Sequence, residues 1–104
     1  MTRLIGVVFT SACLGIGGPD QSTYGQATHA FKSAEAVLEQ AGSNCKQAIK
    51  VQIFTTAAAD TKIVFDRYQD FFVHDGFPAP ALTTATVSEL PGGAIVQVEA
   101  TAVA

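Results

Sequence analysis

Few side chains in this chain could do chemistry. Its 104 residues include two cysteines, two histidines and nine carboxylates. Cys13 and Cys45 stand alone, without CxxC spacing or a paired framework. His29 and His74 are far apart, and no carboxylate–histidine spacing suits a metal ligand set. No nucleophile elbow supports a Ser-His-Asp hydrolase. The run Gly15-Ile16-Gly17-Gly18-Pro19-Asp20 is glycine-rich, yet no Lys-Ser/Thr follows it and no acidic residue stands where a ribose would need one. It reads as a connection from sheet to helix. No catalytic constellation stands out by residue type and spacing alone. No metal and no cofactor is expected.

Strands make up much of the chain. Pro80–Ala104 reads as two strands, about Ala81–Val87 and Ala94–Val103, joined through Glu89-Leu90-Pro91-Gly92-Gly93. Side chains alternate along a strand, so Leu82, Thr84 and Thr86 share one face, and Ile95, Gln97 and Glu99 share one. Leu4–Ser11 is continuous and β-branched, as a buried strand in mid-sheet would be, and Ala12–Leu14 continues it after a bend. Ala48–Thr55 alternates, with Ile49, Val51 and Ile53 on one face and Lys50 and Gln52 on the other.

Two helices lie between the strands. Ser22 caps the first, in which Ala27, Phe31, Ala34, Leu38 and Ala41 form a stripe, and Gly42 stops it. His29 lies off that stripe and is expected to face solvent. Asp60 caps the second, with Val64, Tyr68, Phe71 and Phe72 packing inward. The order β(β)αβαββ predicts a single α+β domain over residues 1–104, a mixed sheet with two helices on one face. The other face would be bare in a monomer.

Composition points to an assembly. Only 14% of residues are charged, against about 25% in ordinary soluble domains. A small protein has much surface for its volume, so some of that surface is expected to be covered by other subunits. Net charge is −3 and the six Lys and Arg are scattered, which argues against nucleic acid as the main partner. The apolar run Leu4–Phe9 is too short to span a membrane and precedes no cleavage signal. Lone cysteines suit reduced thiols in a cytoplasmic protein.

An ordered set of short motifs then resembles the Rid family, the YjgF-like reactive intermediate deaminases. It comprises Val7-Val8-Phe9-Thr10-Ser11, Gln26-Ala27, Ala36-Val37-Leu38-Glu39-Gln40-Ala41-Gly42-Ser43 and Lys50-Val51-Gln52-Ile53-Phe54. Asp60, Tyr68, Phe71-Phe72, Phe77-Pro78, Pro80-Ala81, Leu90-Pro91, Gly93-Ala94 and Val96-Gln97-Val98-Glu99-Ala100 complete it. The resemblance implies a chorismate-mutase-like fold and a homotrimer with clefts between subunits. In the well-studied branch those clefts bind small carboxylates and hydrolyse enamines or imines to a keto acid and ammonia. An arginine on the first closing strand clamps the carboxylate, a bidentate geometry particular to guanidinium. A glutamate on the last strand handles the water or proton.

This chain departs from that pattern at its centre. The residue after Pro80-Ala81 should be the arginine and is Leu82; the cleft glutamate position is Gln97, while Glu99 matches the second acidic position. Phe65 stands where many members carry an asparagine, and Ser11-Ala12-Cys13 replaces the usual Ser-Gly-Gln. The N-terminal segment that brings a cleft tyrosine in many members is expected to be absent. Arg3 and Arg67 match no family site. The resemblance thus implies a greasier cleft, with Leu82, Thr84, Phe65 and Ser11 binding substrate and Gln97, Cys13 and Glu99 as catalytic candidates. The expected ligand is a small uncharged or apolar molecule, and the chemistry an altered hydrolysis, tautomerisation or cyclisation. The alternatives are a non-catalytic binding protein and a plain deaminase.

Overall fold

The computed structural model describes residues 6–104. Arg3 and the Leu4-Ile5 start of the predicted first strand lie outside the described residues. The elements are β1 (Val7–Phe9), β2 (Cys13–Leu14), α1 (Thr23–Gln40), β3 (Ala48–Thr55), α2 (Thr61–Phe72), β4 (Ala81–Thr86) and β5 (Val96–Val103). They form an α+β fold with one mixed sheet, ordered β1-β5-β3-β4, and β2 also pairs with β5.

Each helix starts where its cap dictates. The Ser22 hydroxyl accepts from the Gly25 N–H at 3.1 Å, and the Asp60 carboxylate accepts from Lys62 and Ile63. Ala27, Phe31, Ala34 and Leu38 are buried as their spacing requires. Ala41 is not; it forms the exposed C-cap, and Gly42 follows with φ +85°. Val64, Tyr68 and Phe72 are the buried stripe of α2, with Phe71 half-buried beside them. The Phe31 ring lies 5.6 Å from Phe71 and 5.9 Å from Phe72, joining the helices through aromatic contact.

β5 is the sheet's central strand in pattern as well as place. Val96, Val98, Ala100 and Ala102 are buried under the helices, and the residues between them face the other way, partly exposed. A buried amide locks its entry: Gln26 Oε1 accepts from the Ile95 N–H at 2.9 Å, and its Nε2 donates to the Gln21 carbonyl. Gly15 passes so close that a Cβ there would sit 2.6 Å from the Gln26 Cβ. Close backbone approach therefore explains this glycine; phosphate binding is not needed to account for it.

Four expectations require correction. The closing strands are not neighbours, because β3 lies between them, parallel to β4 and antiparallel to β5. A parallel pair needs a crossover, and α2 supplies it; Pro91–Gly93 forms a single 3-10 turn on the return. Second, β1 is an edge strand paired only with β5, leaving Val7 and Phe9 exposed on the face away from the helices. Third, a register shift between Ala48 and Lys50 turns Ile49 outward, 50% exposed, so it does not join Val51 and Ile53. Fourth, His29 is half-buried against Gly17 and Gly18 and does not stand free in solvent.

Candidate functional site

β4 is an edge strand of the sheet, and all six of its residues are exposed. Between it and the first turns of α2 lies an open cleft of about 540 Å³. Leu82 and Thr84 line it from the strand, Thr61, Lys62, Val64 and Phe65 from the helix, and Ile53 and Thr55 form its floor. Leu82 and Phe65 are 37% and 42% exposed, unusually open for large apolar groups, and Phe65 stacks on Tyr68 at 5.8 Å. Three of the four predicted binding residues thus meet at one place.

Sequence reasoning missed Lys62. Among the described residues it is the only charged one lining this cleft. The signal was available, since Lys62 precedes Phe65 by three positions and the two share a helix face.

Gln97 and Glu99 lie elsewhere. Thr84 is in register with Ile53, and Ile53 with Val98, all on the helix side of the sheet. Gln97 is one residue out of phase, in register with Phe54 and Leu14, and Glu99 pairs with Gln52. Alternation puts Gln97 and Glu99 on the open face. Within one chain they cannot share a cleft with Leu82.

Ser11 and Cys13 form a third location, at the β1–β2 bend on the far side of β5 from β4. Ser11 is exposed, and its carbonyl accepts from the Cys13 thiol at 3.5 Å. Cys13 points into the helix-side core, and burial raises its pKa. Cys45 is pushed up further, to about 12, by burial and by Glu35 and Glu39. Nucleophilic cysteines are instead held as thiolates. Both thiols are expected to alkylate far more slowly with iodoacetamide at pH 8 than free cysteine does. Fast labelling of Cys13 would restore it as a nucleophile candidate.

No group of three or more His, Cys, Asp and Glu among the described residues could hold a metal, and no described helix is long and apolar enough to cross a membrane. A sequence profile described as endoribonuclease L-PSP matches residues 3–104. A RutC family protein of Aquifex aeolicus is 34% identical over 102 residues, 94% of this chain and 81% of that protein. The chain belongs to the Rid (YjgF-like) family.

Solved members share the fold. A Rid protein from Yersinia pestis, YyfA, superposes with TM-score 0.83 at 32% identity, covering 93% of this chain and 79% of that one. E. coli TdcF with bound serine gives 0.84 at 25% identity, over 94% and 80% of the two chains. A 2-iminobutanoate/2-iminopropanoate deaminase of Dermatophagoides farinae is 35% identical over 74 residues, 71% of this chain but 56% of that protein.

Proposed function

We propose that this Rid protein is a homotrimer whose inter-subunit clefts take a small metabolite with an apolar body, and that it performs altered chemistry there: hydrolysis, tautomerisation or cyclisation of a reactive intermediate. The observation that carries this reading is the Leu82–Phe65 wall. Two large apolar side chains face an open cleft in place of a carboxylate clamp and an amide. Covering what remains exposed of either, about two-fifths of the side chain, is favourable by about 1 kcal/mol.

Assembly would resolve the split site. Gln97 and Leu82 sit on opposite faces of one sheet, so the two positions can serve one cleft only if neighbouring subunits contribute one each. The open face supports this, since Val7 and Phe9 are 52% and 73% exposed on it and Phe54 and Leu14 flank Gln97. Light scattering is expected to return the mass of three chains at micromolar concentration. Phe9→Asp should shift the mass toward the monomer, and a monomeric wild type would overturn the assembly.

Non-catalytic binding is the second reading. The amide of Gln97 does not titrate and Cys13 is turned into the core, which leaves Glu99 to carry any proton among the catalytic candidates. A thermal-shift series with neutral aliphatic and aromatic amides tests the cleft itself. Stabilisation that Leu82→Asp abolishes is the expected result. No stabilisation by any of them at millimolar concentration would sink both readings.

A further inference from the structure

The cleft has a polar side that its apolar wall does not explain. Lys62 stands on the first turn of α2, one helical turn before Phe65, and both line the cleft opposite Leu82. Around them are the hydroxyls of Thr61, Thr84 and Thr86. Within one chain and among the described residues, none of those lining the cleft is acidic.

The ammonium group also lacks a competing partner. The salt bridge found among the described residues joins Arg67 to Asp70 and leaves Lys62 aside. Asp66 follows Lys62 by four positions, but lysine ahead of an acid is the weaker helical order, and no ion pair forms within 4 Å. The Asp60 carboxylate accepts the backbone N–H groups of Lys62 and Ile63 and is spent on capping. Neither acid lines the cleft. An unpaired cation among donor hydroxyls, beside a greasy wall, matches an amphiphilic monoanion better than a neutral molecule.

We propose that Lys62 is the specificity-determining residue of this cleft, selecting ligands that carry one anionic group on an apolar chain, with the chain against Leu82 and Phe65. The proposal rests on the cleft being the ligand site, and it changes the expected ligand from uncharged to singly anionic. Lysine supplies a point charge on a flexible stem, whereas a guanidinium fork fixes two oxygens. Selection by Lys62 is therefore tolerant of headgroup geometry and modest in size.

Hexanoate and hexanamide form a matched pair of probes. Calorimetric titration of the full-length protein is expected to show hexanoate binding about two- to fivefold more tightly, the range of a solvent-exposed ion pair. Raising salt from 0.05 to about 0.5 M should erase the preference, since the screening length then falls to a few ångströms. Lys62→Ala should remove the preference, so that hexanoate and hexanamide bind alike, and Lys62→Arg should keep it. Equal affinity of the wild type for both probes, or a preference that survives Lys62→Ala, overturns the proposal and leaves the apolar cleft standing. If neither probe binds, the cleft reading falls and the role of Lys62 falls with it.

Discussion

A Leu82→Arg/Gln97→Glu double variant is expected to release keto acid from freshly generated 2-aminoacrylate, where the natural sequence shows little or no turnover. Leu82→Arg places a guanidinium fork on β4, at the cleft wall facing Phe65. A desolvated charged contact of that kind is worth about 2–5 kcal/mol, or about 30- to 5,000-fold. Gln97→Glu supplies a group that can carry a proton, which an amide cannot. Each single variant should recover little, because clamp and base act on the same molecule.

The split between sheet faces adds a sharper version. Leu82 and Gln97 can meet only across a subunit boundary, so mixed trimers of the two single variants should be active. Trimers of either one alone should not. Activity that appears in the double variant but never in mixed trimers would place both groups within one chain, against the register of β3, β4 and β5. Clear turnover by the natural sequence would instead revive the plain deaminase.

Phe31→Ala is expected to cost about 3–5 kcal/mol of stability. Its ring is fully buried and touches Phe71 and Phe72, so the deletion leaves a void between α1, α2 and the sheet. A domain of this size holds about 5–15 kcal/mol in all. The melting temperature should fall by more than about 12 °C. Val37→Ala is the control on the same helix; Val37 is 39% exposed, and its loss should cost under about 1 kcal/mol. Urea unfolding of both at one protein concentration checks the contrast, because assembly makes stability concentration-dependent. A loss below about 1 kcal/mol for Phe31→Ala would mean the helices do not depend on that contact.

Local signals carried most of the fold. Ser22 and Asp60 are caps because short polar side chains satisfy the free N–H groups of a first helical turn, wherever that turn is. The spacing of Ala27, Phe31, Ala34 and Leu38 marks a buried stripe for the same geometric reason. Failures came where a property depends on what lies alongside. Ile49 fits an alternating pattern and is still turned outward, because the bulge is set by pairing with β5. Lys62 shares a helix face with Phe65, but only the placement of β4 across from that face makes it a cleft residue.

By itself the sequence determined the helices, most of the strands and the family. Each of these is carried by residue type and spacing along the chain. Only the tertiary structure decided which strands are neighbours, and so which side chains share a face. β3 lies between β4 and β5, and a shift of one residue in phase sends Gln97 to the far side of the sheet from Leu82. Register is a long-range property: every second residue changes face, and no local pattern states which partner strand a residue will meet.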